Sequence, residues 1–345
     1  MTKILYQGQV KDPSGYGVAG RGYIESLLKY FKKSNLNVDF KIAPIVADQL
    51  NSLTREEASL IDKYSFKSEE EMKEFIESKD YFYIIHHPPT YAQKIEQTYM
   101  FARNSLKNIF FTVWETDALP PLWNDIFLHL NIEKIVVPCE WNKLAFDKGL
   151  KKFDNEMPVC VVPHLINDTF MKDDNQGPSA QITTSFNAEK FNCLTVGQWT
   201  DRKALSTVVK AFFMEFFDND DCNLIVKTYG NIQVSDPAYQ QQQQNQIAHE
   251  IVKYKKAICS DKIGHPSSTH ATLLYGLLSK SDMNFLYKNS NVFALFSKGE
   301  GFGLPIAESL LHSTPVVVHD RGGHVDFVNP QHNFIVETHE TPAYC

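Results

Sequence analysis

The chain has 345 residues, 43% apolar and 12% aromatic, enough for two α/β domains with large cores and inconsistent with disorder. Its formal net charge of −7 argues against a constitutive nucleic-acid coat, though not against a local basic patch. The six cysteines are scattered, with no C-x-x-C pair and no histidine at zinc spacing, which reads as reduced thiols of a cytoplasmic protein. No apolar run reaches the length of a membrane span, and Met1 to Tyr6 reads as the start of a strand rather than of a signal peptide.

Residues 3–7 predict a first strand. It leads into a glycine-rich loop over 12–22, then a helix with the buried stripe Tyr23, Ile24, Leu27, Leu28 and Phe31. The loop lacks the G-x-G-x-x-G spacing of a nicotinamide site, although Asp39 follows the second strand at about the right distance. A loop closing over a phosphate or a sugar fits it better. Strands follow at 38–44 and 81–85, separated by a polar, mostly helical outer layer at 50–78. The third strand ends in His86-His87-Pro88-Pro89, and open α/β sheets bind ligands at the carboxyl ends of their strands. Packing or capping is the alternative for both histidines.

Further strands are expected at 108–113, 134–138 and 159–163, the last ending at His164, with a helix opening at Cys139. Six strands with intervening helices make one doubly wound domain, residues 1–168. Its lysine clusters, Lys29/Lys32/Lys33 and Lys148/Lys151/Lys152, read as solvated helix ends. A polar linker broken by Gly177-Pro178 occupies 169–188, and a second domain spans 189–345. There a strand at 191–196 meets Gly197-Gln198-Trp199-Thr200-Asp201-Arg202-Lys203, ahead of a helix at 204–216. Adjacent cations in a strand-to-helix loop suit a diphosphate, because arginine binds bidentately and lysine adds a point charge. A strand at 223–226 and helices at 239–258 and 283–288 complete the approach to the most informative stretch, residues 292–326.

That stretch predicts a strand at 292–296, a loop Ser297-Lys298-Gly299-Glu300-Gly301-Phe302-Gly303, and a helix with Pro305 at its start. A strand at 316–318 and the pair Gly322-Gly323 follow. A glycine loop opening onto a helix N-terminus offers backbone N–H groups and a positive dipole end. Glu300 and Glu308 frame it, seven residues between them. Either alone could merely complement a helix dipole or decorate a loop.

Together these residues resemble the retaining glycosyltransferases of the GT-B fold, the family-four group that includes glycogen-synthase-like and mannosyltransferase-like enzymes. The strongest match is Glu300-Gly-Phe-Gly-Leu-Pro-Ile-Ala-Glu308, which looks like that family's E-x7-E motif. In order along the chain it is supported by Ser14-Gly15-Tyr16-Gly17, His86, Trp114-Glu115-Thr116, Val161-Val162-Pro163-His164, Val196-Gly197 with Arg202-Lys203, and Leu278-Ser279. The resemblance implies two Rossmann-like doubly wound domains facing across a cleft, with no tightly bound cofactor, no metal and a nucleotide-diphosphate sugar as donor. It implies that Glu308 accepts from the ribose hydroxyls and that Glu300 faces the transferred sugar. Phe302, Gly303 and Leu304 would hold sugar or phosphate through backbone N–H groups, and Arg202 and Lys203 would neutralise the leaving diphosphate. Gly15, Tyr16 and Gly17 would approach that diphosphate, and His86 would lie near donor sugar and acceptor. Two departures stand out. Gln198 occupies a position where many relatives carry arginine, and the chain ends at Cys345, before the family's C-terminal crossover helix.

The function so implied is transfer of a sugar to an acceptor hydroxyl with retention. The acceptor is open among a glycan, a lipid-linked glycan, a protein and a hydroxylated DNA base, and oligomerisation is open too. A nucleotide-sugar epimerase, a sugar phosphorylase and a non-catalytic nucleotide-sugar-binding module are the other readings of the same residues.

Overall fold

Apolar strands alternating with amphipathic helices bury each strand on both faces, and such chains fold as parallel sheets covered by helices on either side. The computed structural model describes residues 1–45, 53–92, 94–166, 177–217, 219–231, 234–260 and 270–342. Two units emerge, Met1–Leu165 and Ile166–Cys345, each built on a six-stranded parallel sheet.

The first unit runs β1 (Thr2–Gly8), α1 (Gly15–Lys33), β2 (Val38–Pro44), α2 (Arg55–Tyr64), α3 (Glu69–Glu77), β3 (Tyr81–His86) and α4 (Pro89–Ala92). It continues with α5 (Glu96–Asn104), β4 (Lys107–Phe111), α6 (Pro121–His129), β5 (Ile132–Val137), α7 (Glu140–Lys151) and β6 (Val159–Val161). Strand order is β2-β1-β3-β4-β5-β6. Alternation along the strands sends Leu5, Tyr83, Ile85, Phe110 and Ile135 to a core with Phe101, Phe127 and Phe146 of the covering helices. The opposite face packs Tyr6, Ile42 and Ile84 against Tyr23 and Ile24 of α1 and Ile61 of α2.

The second unit runs α8 (Ala180–Ser185), β7 (Phe191–Gln198), α9 (Leu205–Phe216), β8 (Cys222–Tyr229), α10 (Pro237–Ser260) and β9 (His270–Tyr275). After it come α11 (Lys280–Asn289), β10 (Val292–Leu295), α12 (Leu304–Leu311), β11 (Val316–His319), a 3-10 turn (Gly323–Asp326) and β12 (Phe334–Val336). Its order, β12-β11-β10-β7-β8-β9, reverses direction between β7 and β10. The first sheet reverses between β1 and β3. Open α/β sheets take ligands at such reversals, outside the strands' carboxyl ends; there lie Gly15 at the start of α1, His86 at the end of β3, and the loops that carry Lys203 and Glu300.

Several sequence expectations change. The glycine segment over 12–22 is not one long loop, because α1 begins at Gly15. Ser14 caps the helix by accepting from the Gly17 N–H at 3.5 Å, and its own N–H donates to Asp12 at 2.6 Å. Between the helices expected at 239–258 and 283–288 lies a strand, β9 (His270–Tyr275), that the sequence reading did not name. Residues 180–185, inside the expected linker, form α8 and bury Ile182. Residues 169–176 of that linker and 50–52 of the polar layer lie outside the described residues. No disulfide joins the described cysteines Cys139, Cys160, Cys193 and Cys222.

Gly17 shows why α1 can start where it does. A Cβ there would stand 1.9 Å from the Asp12 carbonyl oxygen, so the helix could not close on the loop. Gly17→Ala is expected to lower the urea midpoint by an amount equivalent to about 1–3 kcal/mol or more. An unchanged midpoint would show that the loop yields freely.

Candidate functional site

In the second unit the loops after β7 and β10 meet at the sheet's reversal. Arg202 Nη1 donates to the Gly299 carbonyl at 2.8 Å, and the Lys298 N–H donates to the Arg202 carbonyl at 2.7 Å. Lys298 Nζ reaches Asp201 at 2.6 Å. Within this frame Lys203 Nζ donates to Glu300 Oε2 at 2.6 Å, and Ser297 Oγ donates to the same oxygen at 3.2 Å. Glu300 is only 6% exposed. Burial pushes its carboxyl up, but Lys203, with Arg202 and His324, outweighs that and holds it below the usual range. It is therefore ionised near neutral pH.

The backbone of Glu300 is fixed from the other side by the 3-10 turn. The Gly323 N–H donates to the Glu300 carbonyl at 2.8 Å. A Cβ on Gly323 would stand 2.0 Å from the Gly301 oxygen, and Gly322 has φ of 102°. The glycine pair is thus required by close approach and by a left-handed backbone. His324 is 0% exposed; its Nε2 shares a 2.8 Å hydrogen bond with the His319 carbonyl, and its Nδ1 has no hydrogen-bond partner among the described residues. Burial lowers both imidazoles, His319 to about 4. Gly303, at φ 95°, precedes α12, and no side chain caps that helix. Its first turn therefore presents backbone to the mouth of the loop.

Glu308 lies one turn into α12 and belongs to a second cluster. Its Oε2 accepts from Tyr287 Oη at 2.8 Å, and its carbonyl shares a 2.8 Å hydrogen bond with His312 Nδ1. Burial raises its carboxyl to about 7, with Tyr287, Lys227 and Lys280 acting in the opposite direction. Burial also lowers the Lys227 ammonium to about 8, which the Glu308 charge partly offsets.

In the first unit, Gly15 is exposed and opens α1, while Gly17 is buried. Tyr16 Oη shares a 3.0 Å hydrogen bond with Thr112 Oγ1, and its ring lies 5.4 Å from that of His86. His86 is 2% exposed; its Nδ1 shares a 2.6 Å hydrogen bond with Tyr6 Oη, and Gly20 and Tyr23 of α1 pack against it. Burial keeps this imidazole neutral. Sequence reading placed both histidines at a ligand-binding edge; His87, too, is fully buried.

The structure thus joins Arg202, Lys203 and Glu300 directly, sets Phe302, Gly303 and Leu304 at the start of α12, and gives Glu308 a separate set of partners. Gln198 donates to the Gly230 carbonyl at 3.2 Å, a contact inside its own unit. Sequence reasoning missed Ser297, Lys227, Tyr287 and His324. For Lys227 a signal existed: a lysine closing the apolar run Leu224-Ile225-Val226 is a charge at the carboxyl end of a buried strand.

Residues 267–343 match the family described as Glycosyl transferases group 1. A viral protein named "Putative glycosyltransferase 45", from Sulfolobus islandicus filamentous virus, is 39% identical over 61 residues, which cover 18% of this chain and 17% of that protein. The match thus spans about a sixth of the length of that relative. Similar solved structures cover nearly the whole chain. HepE of Anabaena in complex with UDP-glucose is 12% identical with a TM-score of 0.61, over 99% of this chain and 86% of that one. Sucrose-phosphate synthase from Thermosynechococcus elongatus is 15% identical with a TM-score of 0.59, over 98% and 86%. A glycosyltransferase from Rickettsia africae is 16% identical with a TM-score of 0.59, over 97% and 84%. These likenesses show the fold: two Rossmann-like units, as in GT-B proteins.

The Glu308 environment has a thermodynamic signature. Its carboxyl lies near 7 in the folded chain against an ordinary value of 4.5, so the native state holds this proton longer than the unfolded chain does. The resulting contribution to stability is present below about 4.5 and is lost as pH rises through 7. Glu308→Gln, which stays neutral, should gain in Tm relative to wild type between pH 4.5 and pH 8. A difference that does not change with pH would place the Glu308 carboxyl at its ordinary value.

Proposed function

We propose that the chain is a glycosyltransferase that moves a sugar from a nucleotide-diphosphate sugar to an acceptor hydroxyl with retention of anomeric configuration, by a front-face mechanism. The observation that carries this reading is the Lys203–Glu300 pair, 2.6 Å apart at the sheet's reversal, at the mouth of a glycine loop that opens α12. The match over residues 267–343 supports the reaction class. The UDP-glucose bound to HepE makes a UDP-linked sugar the first donor to test.

In this mechanism the bond between the anomeric carbon and the diphosphate oxygen breaks. Arg202 and Lys203 stabilise the negative charge that develops on the leaving group. Lys203 has three donors, enough to serve Glu300 and a phosphate oxygen together. Glu300, ionised, lies against the transferred sugar and stabilises positive charge at the anomeric carbon. The acceptor oxygen attacks from the face the diphosphate leaves, and a diphosphate oxygen takes its proton. Backbone N–H groups of Phe302, Gly303 and Leu304 hold sugar or phosphate, and Glu308 accepts from ribose hydroxyls. Gly15, Tyr16 and Gly17 of the first unit are assigned to the diphosphate, and the neutral His86 to the sugar and acceptor. No metal takes part, and the reaction belongs to the cytoplasm. The acceptor is a glycan, a lipid-linked glycan, a protein or a hydroxylated DNA base.

A thermal-shift screen against nucleotide sugars identifies the donor, because a ligand of the native state raises its apparent stability. Glu308→Ala should weaken nucleotide affinity, while Glu300→Ala should mainly lower turnover. Equal losses of nucleotide affinity would refute that division. Arg202→Ala combined with Lys203→Ala should cost at least about 3 kcal/mol of transition-state stabilisation, the scale of one lost electrostatic donor. EDTA should leave the rate unchanged. Conversion of the donor without an acceptor would indicate an epimerase, and a requirement for free phosphate a phosphorylase.

A further inference from the structure

Lys227 lies near the carboxyl end of β8, between Val196 of β7 and Leu274 of β9. It is 5% exposed, yet its ammonium makes no hydrogen bond or ion pair with any described residue; its one contact of note is the Tyr229 ring, 4.9 Å from Nζ. The stem is buried but the ammonium nitrogen is not fully enclosed, so it is left to water or to a ligand. Ile225, two residues earlier on the same strand face, belongs to the core that contains Leu286, Tyr287 and Ile306. Lys227 therefore lies on the face covered by α11 and α12, where Glu308 is. The two charges attract each other but do not come within 4.0 Å.

An ammonium that only donates, held apart from a carboxyl that only accepts once ionised, defines the chemistry of what fits between them. A phosphate would satisfy Lys227 but be repelled by Glu308, and an amine the reverse. A hydroxyl satisfies both, accepting from one and donating to the other, and a vicinal diol can give Glu308 a second proton to accept. We propose that Lys227 is a ribose-reading residue, donating to a hydroxyl oxygen whose proton Glu308 accepts, so that the site demands a ribonucleotide. This rests on the nucleotide-sugar reading of the site above. Tyr287, donating to Glu308 from below, fixes the carboxylate for the task.

The test measures calorimetric affinities of wild type, Lys227→Met and Lys227→Gln for UDP, 2′-deoxy-UDP and 3′-deoxy-UDP, with GDP and ADP and their deoxy forms in parallel. Wild type should prefer the ribonucleotide. Lys227→Met should lose about tenfold in affinity for it, the scale of one hydrogen bond to a charged group, and its ribo-to-deoxy ratio should fall towards one. Lys227→Gln, which keeps a donor, should recover part of the preference. Unfolding temperatures show that each variant is folded, and methionine replaces the lysine stem with similar apolar bulk. A ribo-to-deoxy ratio in Lys227→Met equal to that of wild type overturns the proposal, whatever happens to stability. If binding still depends on Arg202 and Lys203 in that case, the nucleotide-sugar reading stands without it. Failure of every nucleotide to bind wild type overturns both.

Discussion

The second unit's site depends on one ion pair, Lys203 to Glu300 at 2.6 Å. Removing a carboxylate from water costs several kcal/mol, and without a partner it would take up a proton instead. Lys203 prevents that, and Ser297 adds a second donor to the same oxygen. The pair also joins loops that follow two adjacent strands, β7 and β10, which run parallel and have no short connection of their own. Arg202 to Gly299 and Lys298 to Arg202 close the same seam through backbone groups. One interaction therefore keeps Glu300 charged and holds the sheet's reversal together. Removing one partner would leave the other charge buried, at a typical cost of about 3–5 kcal/mol.

What aims Glu300 is mostly backbone. Gly323 lies so close to Gly301 that a Cβ would stand 2.0 Å from its carbonyl oxygen, and the Gly323 N–H holds the Glu300 carbonyl. Gly303 is packed less tightly, a Cβ there falling 3.1 Å from Ile306 Cδ1 and 3.2 Å from the His324 Cβ. Gly301, Gly322 and Gly323 thus let the 3-10 turn and the loop pack backbone to backbone. A carboxylate carried on such a frame has little freedom left to lose when a ligand arrives, and that is preorganisation in its structural sense.

Much of this was legible in the sequence, and the reasons differ by element. Long apolar runs such as Val292 to Phe296 announce buried strands, and a Pro at the start of a helix after glycines announces a loop-to-helix turn. The adjacent cations Arg202-Lys203 read as suited to a diphosphate, while the partner the fold gives Lys203 is the chain's own Glu300, 97 residues away, which sequence reading did not pair with it. The start of α1 was not legible, because Gly15, Gly17, Gly20 and Gly22 are poor helix formers. Their reason is tertiary: Gly17 makes room for the Asp12 carbonyl, and Gly20 for the His86 ring. The place of His86 at a strand's carboxyl end was legible, but its burial under α1 was not, because helix packing decides it. Lys227 and Tyr287 lie 60 residues apart in sequence; Tyr287 reaches Glu308, and Lys227 comes onto the same face, only through strand order and helix placement, which no local pattern encodes.

The two glutamates of the loop-helix unit end up with opposite electrostatics although the same short segment carries both. Glu300 has an ammonium at 2.6 Å and is held ionised. Glu308 has a phenol at 2.8 Å and an ammonium beyond ion-pair distance, and its carboxyl rises to about 7. Environments that drive two carboxyl groups apart in this way assign them different tasks. A charge that must meet developing positive charge has to be present before the bond breaks, which suits Glu300. Each hydroxyl hydrogen bond that a carboxylate receives restores part of the stabilisation its burial withholds. At Glu308 the ligand's own donors, added to Tyr287 and Lys227, would supply what the protein leaves incomplete, so that binding and ionisation of this group favour each other.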